Sequence, residues 1–204
     1  MIASADTPAK PLATNEHPKG RRRISWQEFQ NRYFGREGRY KYEWVNGYVE
    51  KTEYTMNPYR LYIQFNLQDF FAQLLADGKI SGQLLAEPDL VLFLDHHRRP
   101  DMAWLTRKQV ENLRNENAIE VPAFVIEVIS NKDAANAIVK KMEDYRKAGV
   151  QVVWQIYPLV KQVQVYSGAR LKQSVVCSGD EVCSAAPALP AFEMTVNELF
   201  KLGE

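Results

Sequence analysis

Apolar positions along this chain change their spacing several times, and each change marks an expected element. From Tyr59 to Ala76, the residues Leu61, Phe65, Leu67, Phe71, Leu74 and Leu75 recur at helical spacing, and Gly78 is placed to end the helix. Upstream, Tyr40–Val45 and Tyr48–Tyr54 flank Asn46-Gly47, a dipeptide that tolerates positive φ and so favours a tight hairpin of antiparallel strands. Ser25 and Glu28 have capping-box spacing and open a short helix through about Tyr33. Three β-rich segments follow the long helix: Gln83–Leu94, Asp101–Leu105 and Ala123–Ile129. Their continuous apolar runs, such as Leu90–Leu94, suggest strands covered on both faces. A short polar helix is expected over Arg107–Arg114. Ser130 and Asp133 read as the start signal of a further helix that ends at Ala148 before Gly149. Val150–Tyr157 then reads as a strand, Lys161–Cys177 as a hairpin, Ser184–Ala191 as a loop and Thr195–Leu202 as a last helix. The plan is mixed α/β.

Composition narrows this picture. A chain of 204 residues with 46% hydrophobic content suits one domain, expected over residues 24–204. Residues 1–23 collect Pro8, Pro11, Pro18 and the run Arg21-Arg22-Arg23 without apolar periodicity, and are expected to form a flexible arm. A net charge of +1 creates no global field toward nucleic acid or membrane, so a polyanion must be held by a local patch. Cys177 and Cys183 lack histidine neighbours and read as free thiols rather than a zinc site. With neither a membrane-length apolar segment nor a signal-peptide core, a soluble cytoplasmic protein with no membrane partner is expected.

Three side chains stand out chemically. Glu127 interrupts the apolar strand Phe124–Ile129, where an unpaired charge costs several kcal/mol, so it must reach a cation, a metal, hydrogen bonds or solvent. Asp101 heads another strand. If the two strands are neighbours, both carboxylates can face one side of the sheet and chelate a hard divalent cation, Mg²⁺ or Mn²⁺, through oxygen. In the following helix, Ala134, Ile138, Lys141, Tyr145 and Ala148 fall on one stripe while Lys140 points about a quarter-turn away, so Lys141 faces the sheet. Plainer roles stay open: an arginine pairing with Glu127, Asp101 closing a turn after Pro100, or Lys141 reaching a carboxylate on the helix flank. His96 and His97 read as exposed residues at a hairpin tip, and Asp89 as the start of an earlier strand.

Five segments, in order and spacing, resemble the Uma2 family: Tyr42-Glu43-Trp44-Val45-Asn46-Gly47, Arg99-Pro100-Asp101, Phe124–Ser130, Lys141–Tyr145 and Gly149–Trp154. This resemblance, over about residues 25–202, implies the restriction-endonuclease-like fold of the PD-(D/E)XK superfamily. That fold has a mixed four-stranded sheet flanked by helices; here an N-terminal helix and hairpin and a C-terminal hairpin and helix are added. It further implies a metal-dependent endonuclease acting on nucleic acid, DNA first. Asp101 and Glu127 would bind the metal, and Glu43 would complete the shell. The lysine place two residues after Glu127 holds Ile129, and Lys141 takes over that role. Family members often carry a histidine where this chain has Arg60-Leu61-Tyr62, and an aspartate where Tyr157 precedes Pro158. Two rivals remain: a non-catalytic nucleic-acid-binding or regulatory module on the same fold, and an interaction protein, homodimeric in form, whose carboxylates pair with arginines.

Overall fold

Alternation of side chains along the central strands sets the layering of this molecule. The computed structural model describes residues 22–53, 58–131 and 133–202. Of the expected arm, all but Arg22 and Arg23 lies outside the described residues. In chain order the elements are α1 (Trp26–Arg32), β1 (Tyr40–Val45), β2 (Tyr48–Glu53), α2 (Pro58–Ala76), β3 (Gln83–Ala86), β4 (Leu90–Phe93), β5 (His96–Arg98), β6 (Met102–Leu105) and α3 (Arg107–Asn112). They continue with β7 (Phe124–Val128), α4 (Ala135–Ala148), β8 (Val152–Tyr157), β9 (Gln162–Ser167), β10 (Gln173–Ser178), β11 (Val182–Ser184), β12 (Glu193–Thr195) and α5 (Val196–Leu199).

The main sheet runs β10-β9-β8-β7-β6-β3, with β7 and β8 parallel and the other pairs antiparallel. Its four strands β3, β6, β7 and β8 form the mixed core, and the hairpin β9–β10 widens it. Successive residues of β7 go to opposite faces. Phe124 and Ile126 join Ile63, Leu67 and Phe71 of α2 with Trp154 and Phe192, whereas Val125 joins Met142 and Tyr145 of α4 with Leu90 and Val153. A smaller antiparallel sheet, β2-β1-β5-β4, stands beside the core. Its hairpin turns at Asn46 and Gly47, whose φ of 53° and 82° match the twist that a two-residue connection requires. Among the described residues, no helix is long and apolar enough to cross a membrane.

Several expectations change. The segment Gln83–Leu94 is two strands in different sheets, because the backbone turns at Glu87 (φ 48°) ahead of Pro88. The hairpin tip is Leu94-Asp95, with Leu94 80% exposed, and not His96-His97. These histidines instead open β5, where His97 is fully buried among the rings of Trp26, Phe29 and Phe34 and its Nε2–H donates to Asp89 at 2.9 Å. Of the α2 stripe, Leu67, Phe71 and Leu74 are buried, but Leu61, Phe65 and Leu75 are exposed, Phe65 at 65%. Ile63 takes the buried place, so the core-facing stripe is narrower than the apolar one. The Ser130 N–H does donate to Asp133, yet this closes a turn; α4 begins later, at Ala135. Its end is as expected, with Gly149 at φ 92°. The last helix is a single turn, capped reciprocally by Thr195 and Glu198.

Candidate active site

Register places the two strand carboxylates together. In the antiparallel pair β6–β7, Met102 faces Ile126 and Ala103 faces Val125; continuing by one step sets Asp101 opposite Glu127. Both share the parity of Ala103 and Val125, so both lie on the α4 side of the sheet. Opposed residues of an antiparallel pair hold their Cβ atoms about 5 Å apart. The Val128 N–H donates to Asp101 Oδ2 at 2.7 Å, which fastens the carboxylate to the end of β7. From α4, Lys141 Nζ reaches Glu127 Oε1 at 2.9 Å and Glu43 Oε1 at 3.3 Å, and the Tyr145 hydroxyl donates to the same Glu127 oxygen at 2.5 Å. Lys140 points elsewhere and pairs with Glu50. Asp101, Glu127, Lys141 and Glu43 all line one cavity of about 270 Å³.

Other cations enter from distant parts of the chain. Lys41 lies two residues before Glu43 on β1, hence on the same face, and donates to Asp101 Oδ1 at 2.7 Å. Arg60, in the first turn of α2, pairs with Asp101 Oδ2 and also approaches the Val128 carbonyl at 3.4 Å. Arg98 is 1% exposed and binds three carboxylates: Asp144 through Nε at 2.9 Å and Nη2 at 2.6 Å, Glu43 at 3.0 Å and Glu50 at 2.5 Å. Both oxygens of Glu43 are thereby engaged, one by Arg98 and the other by Lys141 and the Arg99 N–H.

Burial by itself pushes the Asp101 carboxyl up, but Lys41, Arg60 and Lys141 outweigh it and hold the group far below the usual carboxylate range. Burial likewise opposes ionisation of Glu43, yet Lys141, Arg98 and Lys41 bring it down to about 2. For Lys141, desolvation favours the neutral amine, but Glu127, Glu43 and Asp101 prevail and raise it above its ordinary value. Lys141 is therefore an ammonium at neutral pH and a donor, not a proton acceptor. Burial, together with the Glu127 and Glu43 charges, keeps the Tyr145 phenol protonated.

The donor chemistry suits a hard divalent ion in a limited form. Among the described residues, no group of three His, Cys, Asp or Glu side chains is set to hold a metal. Glu43, given a place in the metal shell by resemblance, is instead tied to Arg98 and Lys141. Asp101 likewise has both oxygens engaged, Oδ1 by Lys41 and Oδ2 by the Val128 N–H and Arg60. A divalent ion held by Asp101 and Glu127 would have to share or displace these partners, with water and substrate phosphate filling its other positions.

The sequence matches Uma2, described as "Putative restriction endonuclease", over residues 26–197. The chain belongs to the Uma2 family. A solved structure described as a putative nuclease belonging to DUF820, from Anabaena variabilis ATCC 29413, is similar with a TM-score of 0.62. At 20% identity, with 78% of this chain and 89% of that one covered, the likeness establishes the fold. No curated protein matches the chain.

In this Uma2 chain, sequence reasoning missed Lys41, Arg60, Arg98 and Asp144. Lys41 carried a signal, since alternation along β1 puts it on the Glu43 face. Arg60 opens α2 in the stretch Arg60-Leu61-Tyr62, and its side chain pairs with Asp101. Arg98 and Asp144 are ordinary charges in sequence, 46 residues apart, and only packing makes them a buried pair.

Proposed function

We propose that this Uma2 protein is a Mg²⁺- or Mn²⁺-dependent endonuclease that hydrolyses phosphodiester bonds of DNA. The observation that carries this reading is the opposition of Asp101 and Glu127 across β6 and β7, with the Lys141 ammonium 2.9 Å from Glu127 in a solvent-reaching cavity. A divalent ion on these two carboxylates supplies charge neutralisation at phosphate and a lowered pKa for water. The chain's own groups do the rest. Lys141 donates to the attacking water or to the phosphoryl oxygens as charge builds on them. Tyr145 fixes the Glu127 carboxylate, and Lys41 and Arg60, which flank Asp101, are placed to receive an anionic phosphate. Water oxygen adds to phosphorus and gives up a proton to solvent, the ester P–O bond breaks, and the departing alkoxide takes a proton from solvent.

Incubation of supercoiled plasmid with purified protein and Mg²⁺ or Mn²⁺ tests this. Nicking should appear with wild type and vanish in Asp101→Asn/Glu127→Gln; no cleavage above that control removes the enzyme assignment.

One observation favours a non-catalytic binding module on the same fold. Five carboxylates, Glu43, Glu50, Asp101, Glu127 and Asp144, face five cations, Lys41, Arg60, Arg98, Lys140 and Lys141, so this network is balanced as it stands. A divalent ion must then bring its own counter-charge, which a DNA phosphate provides. DNA binding that ignores divalent metal and persists in the double variant would support the module.

A further inference from the structure

The face of the β1–β2 hairpin that turns away from the cavity carries a second set of charges. Five cation–π contacts among the described residues all lie in the segment from Arg23 to Lys51: Arg23 on Tyr48, Arg32 on Tyr33, Arg36 on Tyr42, and both Arg39 and Lys51 on Tyr40. Three of these cations, Arg32, Arg36 and Lys51, line an open groove of about 570 Å³ together with Arg22, Tyr33 and Tyr42. Glu28 is the one carboxylate in that lining, and it is already bonded to Arg22 at 3.1 Å and Arg32 at 2.8 Å. Four cations against one carboxylate leave the groove a surplus of three positive charges, in a chain whose net charge is +1.

The rings do more than pack. A guanidinium resting on a ring face keeps its N–H groups free at the edge, and a side chain already ordered this way loses less entropy when it binds an anion. Planar, pre-oriented guanidinium suits phosphate oxygens. The four cations come from the segment before α1, from its last residue, from the stretch that follows it and from the edge strand β2, and all line the same groove. The groove also adjoins the cavity. Lys51 lines the groove while Thr52 and Glu53 line the cavity, and β2 is the outermost strand of its sheet.

We propose that this groove is a backbone-tracking surface for DNA: one strand of a duplex lays its phosphates along Arg22, Arg32, Arg36 and Lys51 and crosses the edge of β2 toward the carboxylate cavity. The inference rests on the nuclease reading of the cavity for the direction in which the strand runs, but binding can be measured without cleavage.

Fluorescence anisotropy of a fluorescein-labelled 20-base-pair DNA duplex, in EDTA so that nothing is cut, provides the test. Arg36→Gln/Lys51→Gln should weaken binding about tenfold at low salt and reduce the slope of log affinity against log salt by roughly 1.8, since each duplex phosphate contact contributes about 0.9. Arg107→Gln/Lys108→Gln, which removes the same charge from the exposed helix α3, should change affinity less than about twofold. Unchanged binding in the groove variant, or an equal loss in the α3 variant, overturns the proposal. Circular dichroism confirms folding. If the double variant fails to fold, Lys51→Gln alone carries the test, with an expected slope change of roughly 0.9. Plasmid nicking separates the two readings: groove-dependent binding without nicking removes the nuclease and keeps the groove, and nicking with groove-independent binding does the reverse.

Discussion

Arg98→Met is the sharpest probe of how this site is built. Arg98 is 1% exposed and joins three elements, since its partners Glu43 and Glu50 lie on the hairpin β1–β2 and Asp144 lies on α4. Removing one member of a buried ion pair costs about 3 to 5 kcal/mol, because the remaining charge is left desolvated and unpaired. The three carboxylates do not suffer equally. Glu50 keeps Lys140, and Glu43 keeps Lys141 and the Arg99 N–H. Asp144, itself buried, is left with His96 Nε2 at 3.5 Å. The loss thus falls mainly on one residue, and the lower end, about 3 kcal/mol, is expected. That is a large part of the 5 to 15 kcal/mol typical of a whole domain. In urea titrations at pH 7, with a slope of about 2 kcal/mol per molar, the midpoint should fall by roughly 1.5 M. Adding Asp144→Leu should restore at least about 1 kcal/mol relative to the sum of the single changes, because the orphaned charge goes as well. A drop under about 0.5 kcal/mol for Arg98→Met, or strict additivity in the double variant, would refute the picture of a desolvated network centred on Arg98.

The remaining predictions separate neighbours and signs. Lys141→Met should lower plasmid nicking by about 10² to 10³, the scale of losing one preorganised donor, whereas Lys140→Met should change it less than about threefold; equal effects would remove the role given to helical phase. Acid stability follows from Asp101 and Glu43, whose carboxyls are held below their ordinary values. Their contribution is complete above the unfolded-state value, 4.5 for Glu43, and is lost as pH falls through the folded value, about 2 for Glu43. Urea midpoints should therefore decline progressively between about pH 5 and pH 2, and Glu43→Gln should flatten that limb by up to about 1.4 kcal/mol per pH unit. An acid limb identical to wild type would show that Glu43 is not held as an anion.

How much was legible beforehand depends on how local each feature is. Positive φ at Asn46-Gly47 and Gly149, the parity of Glu127 among apolar neighbours, and the helical phase that prefers Lys141 to Lys140 are properties of a few consecutive residues. Geometry of a single strand or helix dictates them, so sequence by itself was enough. Asp101 was different, because strand parity could say which face it takes only once β6 was known to lie beside β7; resemblance supplied what periodicity could not.

Tertiary structure decided the rest. Charges look alike in sequence whether exposed or buried, and the fate of Arg98 depends on whether β5 and α4 close over it. An apolar run does not announce a break, so Gln83–Leu94 looked like one strand until Glu87 and Pro88 sent its halves to separate sheets. His96 and His97 looked like turn residues because turns favour polar side chains; the aromatic rings that bury His97 come from α1, more than sixty residues earlier. Lys41 and Arg60 reach Asp101 across 60 and 41 positions of chain. Sequence thus determined the elements and the phase of their faces, because backbone geometry acts over a few residues. Which faces meet, and so which charges neutralise which, was decided by packing across the whole chain, because desolvation and Coulomb attraction depend on distance in space.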